Sequence, residues 1–226
     1  RTLAPSVEAF QFLEKGASIR LTWLVKSGTA PDFSDFIKQS WEYSYDTWKP
    51  EPVNSPFSDD FVKETLTDFF TQSYVGDFPL KFNSGEAMVV ATCESLGRTE
   101  VGFVGRVLLN AFNALEYGQQ NSRPELVTNS YSIFDSYLAH GFTANGLFRE
   151  FVDFDNNTET EVFSIRRQSE GLYAMLHFLN YEKEKGRSHP EWENKLLLML
   201  DRILLLQNDD GSFPRKFDDK LAIVDE

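Results

Sequence analysis

The sequence Gly211-Ser212-Phe213-Pro214-Arg215-Lys216-Phe217 stands near the C-terminal end of the chain, and two related versions precede it. They read Gly76-Asp77-Phe78-Pro79-Leu80-Lys81-Phe82 and Gly146-Leu147-Phe148-Arg149-Glu150-Phe151. We call these three segments the Gly-Phe phrases. Their first glycines are 70 and 65 residues apart, and each phrase follows an apolar segment with helical spacing. A phrase that recurs at a fixed place in a helical unit is typical of a repeat architecture.

Apolar residues spaced by three and four positions predict the helical elements around the phrases. We expect helices over residues 6–26, 32–48, 59–74, 101–119, 124–139, 165–185 and 190–206. Two β-hairpins are also predicted: residues 78–82 with 87–93 through Asn83-Ser84-Gly85, and 151–154 with 161–163 around Asp155-Asn156-Asn157. These elements form three units, at 32–82, 98–151 and 165–217. No linker long enough to separate independent domains is present.

Composition restricts the function classes. The chain has 226 residues, 41% of them hydrophobic and 25% charged, which is ordinary for a globular protein. Its formal net charge of −13 would repel phosphate backbones, so we expect no nucleic-acid partner. Cys93 is the single cysteine, and no Cys or His spacing predicts a metal site. No apolar run reaches the roughly 18 residues that a membrane span needs.

Both ends of the sequence lack terminal signals. The chain begins at Arg1 without Met or a signal peptide and ends at Glu226. We therefore expect a single domain over residues 1–226 that is incomplete at both ends. Processing of the ends would be compatible with a secreted or periplasmic protein, and the sequence leaves the compartment open.

The segment from Leu204 to Pro214, Leu-Leu-Leu-Gln-Asn-Asp-Asp-Gly-Ser-Phe-Pro, resembles the ends of outer helices in α/α-toroid proteins. These include six-hairpin glycosidases and terpenoid cyclases. The segment Arg167-Gln168-Ser169-Glu170-Gly171-Leu172-Tyr173-Ala174 is similar to the start of an inner toroid helix. The resemblance implies an all-α fold of helical-hairpin repeats with small β-hairpin insertions. A complete toroid has twelve helices, so the seven predicted helices form part of an (α/α) toroid. The phrases and the inner-helix N-termini would gather on one face, at the mouth of a cleft.

The start of the helix at 165–185 carries the first candidate site. In a glycosidase, Glu170 would act as general acid or base, and Arg166 and Arg167 would bind a uronate or sulfate. Asp210 is the candidate partner carboxylate, and Arg215 would hold an anionic sugar group. The competing interpretations are a favourably charged helix N-terminus for Glu170 and a simple Asp-Gly turn for Asp210.

An aromatic stripe and an acidic loop also invite functional interpretations. Trp41, Tyr45 and Trp48 share one helix face, which would either stack on a sugar or join the core; core packing is the more frequent use. The acidic loop 153–161 resembles a calcium loop but lacks the required glycine and final glutamate, so we expect no calcium there. Neither a nucleotide-binding nor a nucleophile motif is present.

Three functions fit these features. The first is a carbohydrate-active protein, a glycoside hydrolase that cleaves oligosaccharides by carboxylate acid/base catalysis. Its partners would be oligosaccharides or polysaccharides, including anionic ones, with no cofactor, and protein partners stay open. The second is a non-catalytic helical module that binds a glycan or a protein. A terpenoid-cyclase-like toroid is the weakest, because no DxDD or DDxxD cluster is present.

Overall fold

A computed structural model describes residues 12–52, 54–83, 88–89 and 91–225. The chain forms two compact units, residues 1–55 and 56–226, and each is described by itself. The prediction of a single domain over the whole chain therefore stays a prediction. Within the described residues the fold is mainly helical, with small antiparallel sheets.

The first unit contains helix α1, Phe33–Trp48, as predicted. Asp32 caps its N-terminus by accepting a hydrogen bond from the Asp35 N–H at 2.9 Å, and Lys49 ends it in a left-handed conformation. The helix predicted over residues 6–26 is wrong where it can be compared, because residues 12–26 are not helical; residues 6–11 lie outside the described residues. Side chains of the predicted stripe such as Leu21 and Leu24 are exposed, and an apolar stripe with no partner to cover it stabilises no helix.

The second unit is built on five helices within the described residues. They are α2 (Asp59–Gln72), α3 (Leu108–Gln120), α4 (Pro124–His140), α5 (Ile165–Glu184) and α6 (Pro190–Leu204). The helix α3 packs on α4 and α5, and α5 packs on α6. Phe134 and Phe178 stack in the centre of the core with their ring centroids 3.9 Å apart. Predicted start signals are confirmed at Ser58, which caps α2, and at Pro124, which opens α4.

Among the described residues, eight short strands lie between the helices and after α6. They are β1 (Met88–Val89), β2 (Glu94–Ser95), β3 (Arg98–Glu100), β4 (Phe151–Asp153), β5 (Thr158–Glu159), β6 (Val162–Ser164), β7 (Lys216–Asp218) and β8 (Ile223–Asp225). The sheets have the orders β1-β2, β3-β4-β5 and β6-β7-β8, all antiparallel.

The sheets repeat one connection. The strand β3 precedes α3 and pairs with β4, which follows α4. In the same way, β6 precedes α5 and pairs with β7, which follows α6. Each pairing holds the start of one helix beside the end of the next, so the starts of α3 and α5 and the ends of α4 and α6 lie at one end of the helices. We call this the phrase end, because the second and third Gly-Phe phrases lie there.

The phrases close this end by burying their rings. Phe82, Phe148 and Phe217 are fully buried in the core. Gly146 and Gly211 have φ values of 83° and 85°, which is the turn conformation expected for the phrase glycine.

Three predicted element boundaries are wrong. Phe82 bridges Val75 instead of opening a hairpin with 87–93, and residues 84–87 of that turn lie outside the described residues. The turn at 155–157 joins β4 to β5, whereas β6 pairs with β7. The helix predicted from residue 101 begins at Leu108, because residues 101–107 form a loop with several positive φ angles.

Candidate functional site

The start of α5 brings together three of the residues predicted for the site. Arg167 forms ion pairs with Glu100 and with Glu150, the latter at 2.9 Å. Arg106 also pairs with Glu100. Both glutamates are almost fully buried. Burial raises the pKa of the Glu150 carboxyl above its ordinary value, although hydrogen bonds from Ser164, Arg167 and Gln168 oppose that rise. Arg167 is thus bound to protein carboxylates, a structural role that the sequence did not indicate.

The loop of residues 101–107 covers this cluster in a strained conformation. Gly102, Val104, Gly105 and Val107 all have positive φ, which is a rare conformation for β-branched residues. A Cβ at Gly102 would lie 2.0 Å from the Arg167 carbonyl oxygen, so only glycine allows the loop to approach α5 this closely.

The same loop contacts the predicted catalytic glutamate. One carboxylate oxygen of Glu170 accepts a hydrogen bond from the Gly105 N–H. The Arg166 guanidinium lies over the Phe103 ring, 4.4 Å from its centroid. Strained loops are frequent at functional sites. Glu170, Arg166 and Arg167 therefore share one site, with Glu170 half-buried and Arg166 exposed.

The remaining predicted residues lie elsewhere. Asp210 is exposed and accepts a hydrogen bond from the Ser212 N–H at 2.9 Å, and its bonds with Ser212 lower its pKa. Arg215 is exposed, and its carbonyl accepts a hydrogen bond from the Ile165 N–H. In the described part of the chain, no hydrogen bond or ion pair joins Asp210 to Glu170. Trp41 is exposed on α1 of the first unit, and α1 has no buried residue, so its aromatic stripe does not form a core.

An open groove of about 1230 Å³ lies at the phrase end of the second unit, where the resemblance implied the mouth of a cleft, but none of the predicted site residues lines it. Its walls come from all three phrase regions: Pro79 of the first phrase, Arg149 of the second, and the turn 218–220 after the third. The other lining residues are Ala139, His140, Phe142, Thr143, Ala144, Thr158, Glu159, Thr160, Glu161 and Phe163. Because these residues come from separate segments, only the repeated phrases could have indicated that they converge.

Polar groups in the groove are held by specific contacts. Arg149 pairs with Glu159 at 2.8 Å, and it also donates to the His140 carbonyl. Asp219 accepts hydrogen bonds from Thr143 at 3.0 Å and from Asn145. Polar side chains of fixed orientation beside the Phe142 and Phe163 rings are the kind of surface that binds small polar ligands.

No helix among the described residues is long and apolar enough to cross a membrane. No group of three or more His, Cys, Asp or Glu residues in the described part of the chain could hold a metal ion.

Paired helices joined at one end by phrases and short sheets define a partial α/α toroid. No known family profile matches the chain, and no curated protein matches it. Among solved structures, it is similar to an unsaturated glucuronyl hydrolase variant with the saccharide dGlcA-Glc-Rha-Glc. The TM-score is 0.51 at 17% identity, over 70% of this chain and 43% of that one.

Two further structures show weaker similarity. A D-mannose isomerase has a TM-score of 0.42 at 13% identity, over 58% of this chain and 33% of that one. A novel α-amylase from Clostridium perfringens has a TM-score of 0.42 at 11% identity, over 68% and 40% of the two chains. The chain spans less than half the length of each of these structures. The resemblance to α/α-toroid, glycosidase-like folds is confirmed, for part of a toroid.

Proposed function

We propose that this chain is a carbohydrate-active protein that binds an oligosaccharide in the groove at the phrase end. The groove itself carries the proposal: its volume of about 1230 Å³ exceeds the roughly 300–1,000 Å³ of pockets for small ligands. Its mixture of hydroxyl, carboxylate and guanidinium groups beside aromatic rings suits the hydroxyl groups and apolar ring faces of sugars. The fold is shared with a glucuronyl hydrolase that was solved with a saccharide, which supports the same class of ligand.

We propose glycoside hydrolysis for an oligosaccharide that extends from the groove to the start of α5, because neither Glu170 nor Asp210 lines the groove itself. One carboxylic acid would protonate the leaving oxygen while a second carboxylate activates water or attacks the sugar carbon. Glu170 is the first candidate for acid or base. One of its oxygens is oriented by Gly105, and the other has no hydrogen-bond partner within the described residues. Asp210 stays the second candidate, and Arg166 and Arg215 stay candidate sugar contacts. Trp41, in the first unit, stays a candidate for sugar stacking on α1 by itself.

Non-catalytic glycan binding is the second candidate function, and a specific observation favours it. Asp210 stabilises its own turn, and Glu170 bonds to the backbone of the loop 101–107. Both carboxylates thus have structural uses. A protein that only binds sugars would need neither of them to be reactive.

One experiment separates the two functions. The protein is incubated with a panel of neutral and uronate-containing oligosaccharides, products are detected by mass spectrometry, and binding is measured by calorimetry. The matched variants are Glu170→Gln and, at the other end of the same helix, Glu184→Gln. A hydrolase gives products with wild type and Glu184→Gln but not with Glu170→Gln, while circular dichroism shows all three folded. Binding without products supports the non-catalytic module. If neither binding nor products are detected, a carbohydrate role is excluded.

A further inference from the structure

We infer that the groove selects uncharged or basic saccharides over anionic ones. This inference rests on the proposed function, because it assigns the substrate class of the same groove. The inferred substrate class differs from the uronate that Arg166 and Arg167 suggested in the sequence. The charges that line the groove and their contacts carry it.

Carboxylates outnumber cations along the groove walls. The cationic side chains are Arg149 and Lys220, and the carboxylates are Glu159, Glu161, Asp218 and Asp219. With His140 neutral, the lining has a formal charge of −2, two positive against four negative groups. The whole chain adds a net charge of −13 in the same direction. A groove lined by one sign of charge repels ligands of that sign before contact is made.

Of the two cations that line the groove, one is already engaged and, in the described part of the chain, only Lys220 is free to compensate a bound anion. The Arg149 guanidinium is already paired with Glu159. Two further cations, Lys195 and Arg202, contact residues of the groove region but do not line the groove. The Lys195 ammonium donates to the Leu138 carbonyl at 2.7 Å, and Arg202 donates to the Asp219 carbonyl at 2.6 Å. Lys220 is left as the one lining cation without a side-chain partner among the described residues.

One groove carboxylate is available to a ligand. Asp218 accepts hydrogen bonds from the backbone N–H groups of Lys220 and Ala222, both at 2.8 Å. Asp219 and Glu159 are engaged by the contacts described above. Glu161 is exposed and has no hydrogen bond or ion pair within the described residues. It can therefore accept hydrogen bonds from sugar hydroxyls or pair with an amino sugar, whereas a uronate would meet an uncompensated negative charge.

The arginines near the start of α5 do not reverse this preference. Arg106 and Arg167 are paired with the buried Glu100 and Glu150. Glu150 follows Arg149 in the chain but contacts Arg167 and Ser164 instead of lining the groove. The positive charge of this cluster is thus balanced locally, away from the groove wall.

The test uses three β-1,4-linked oligosaccharides of one length: a neutral cello-oligosaccharide, a chitosan oligosaccharide and a cello-oligouronate. Binding is measured by calorimetry at low and at high salt. We expect the neutral or basic ligand to bind about tenfold more tightly than the uronate at low salt, with a smaller difference at high salt. Glu161→Lys should reduce that preference. The same charge change in Glu184→Lys, at the far end of α5, a helix about 30 Å long, should leave it unchanged.

The outcomes separate the inference from the proposed function. Tighter binding of the uronate, or equal binding of all three sugars, would overturn the inferred selectivity while leaving carbohydrate binding intact. Binding of none of the three would overturn the proposed function and the inference with it. If Glu161→Lys and Glu184→Lys change the preference equally, the net charge of the protein causes the preference and the groove does not. Thermal unfolding of both variants checks that they are folded.

Discussion

Arg149 and Glu150 are consecutive in the chain, yet they serve two different features of the molecule. Arg149 pairs with Glu159 on the wall of the groove, whereas Glu150 pairs with Arg167 in the buried cluster at the start of α5. The second Gly-Phe phrase therefore separates a candidate ligand site from a network that holds the helices together. This separation allows ligand binding and stability to be tested by different substitutions.

Arg167→Ala should strongly destabilise the fold. The substitution leaves the carboxylates of Glu100 and Glu150 buried without this partner, which typically costs about 3–5 kcal/mol. Its neighbour Arg166 is exposed and lies over Phe103, so Arg166→Ala should cost less than about 1 kcal/mol. Urea unfolding at neutral pH measures both. Similar small losses for both variants would contradict the structural role of Arg167.

Gly102→Ala should be one of the most damaging glycine substitutions. The new Cβ would meet the Arg167 carbonyl at 2.0 Å, and the φ of 74° is itself unfavourable for alanine. We expect a loss above about 3 kcal/mol in the free energy of unfolding. The matched control is Gly146→Ala, where φ is 83° but no atom lies within 4 Å of the new Cβ. That variant should lose only the conformational part, about 1 kcal/mol; an equal loss in both would mean that the close approach is unimportant.

Val104→Gly should stabilise the fold. Val104 is 76% exposed and has a φ of 54°, so its side chain contributes little packing and its backbone is strained. Glycine removes the strain, with an expected gain of about 0.5–1 kcal/mol after the entropy cost of the added freedom. Val104→Ala keeps a Cβ and should gain little. Thermal unfolding compares the three proteins, and a gain shared equally by both variants would point to the loss of an exposed apolar group instead.

Glu182 should make the protein sensitive to acid. Burial favours its neutral form, but hydrogen bonds from Arg187, His189 and Tyr131 outweigh this and lower its pKa to about 2, from an ordinary 4.5. Because the folded-state pKa is depressed, the stabilisation is fully present above pH 4.5 and is lost as the pH falls toward about 2.

The control for this prediction is Glu182→Gln. The variant should be less stable at neutral pH by about 2 kcal/mol, since it loses hydrogen bonds to a charged group. Its stability should fall less than that of the wild type between pH 4.5 and 2. Denaturant unfolding across this pH range measures both slopes, and parallel curves would remove Glu182 as the cause of acid sensitivity.

Elements specified by neighbouring residues could be predicted from the sequence. Ser58 and Pro124 mark helix starts through local caps, and Glu170 and Arg166 lie side by side because they are about one turn apart on one helix. The start of α3 could not be predicted, because valine at positions 104 and 107 gives no signal for positive φ. Strand pairs such as β6 with β7 depend on contacts about fifty residues apart in sequence, which local patterns do not specify.

The residues that line the groove were missed for the same physical reason. Its walls combine residues around 79, 140, 160 and 219, which become neighbours only when the sheets join the helix ends. The recurrence of the Gly-Phe phrases indicated that these regions share one end of the molecule. It could not indicate that the turn 218–220 and Glu161 would line the same groove.

The confinement of the groove to the phrase end has a consequence for how such proteins can diverge. The turns at 142–146, 155–157 and 219–222 border or adjoin it, while the rings stacked between α4 and α5 lie in the core. If the groove binds sugars as proposed, insertions or exchanges in those turns should alter its specificity with less effect on folding than changes in the helical pairs. Laboratory evolution of new specificities should therefore begin with these turns and leave the helical pairs unchanged.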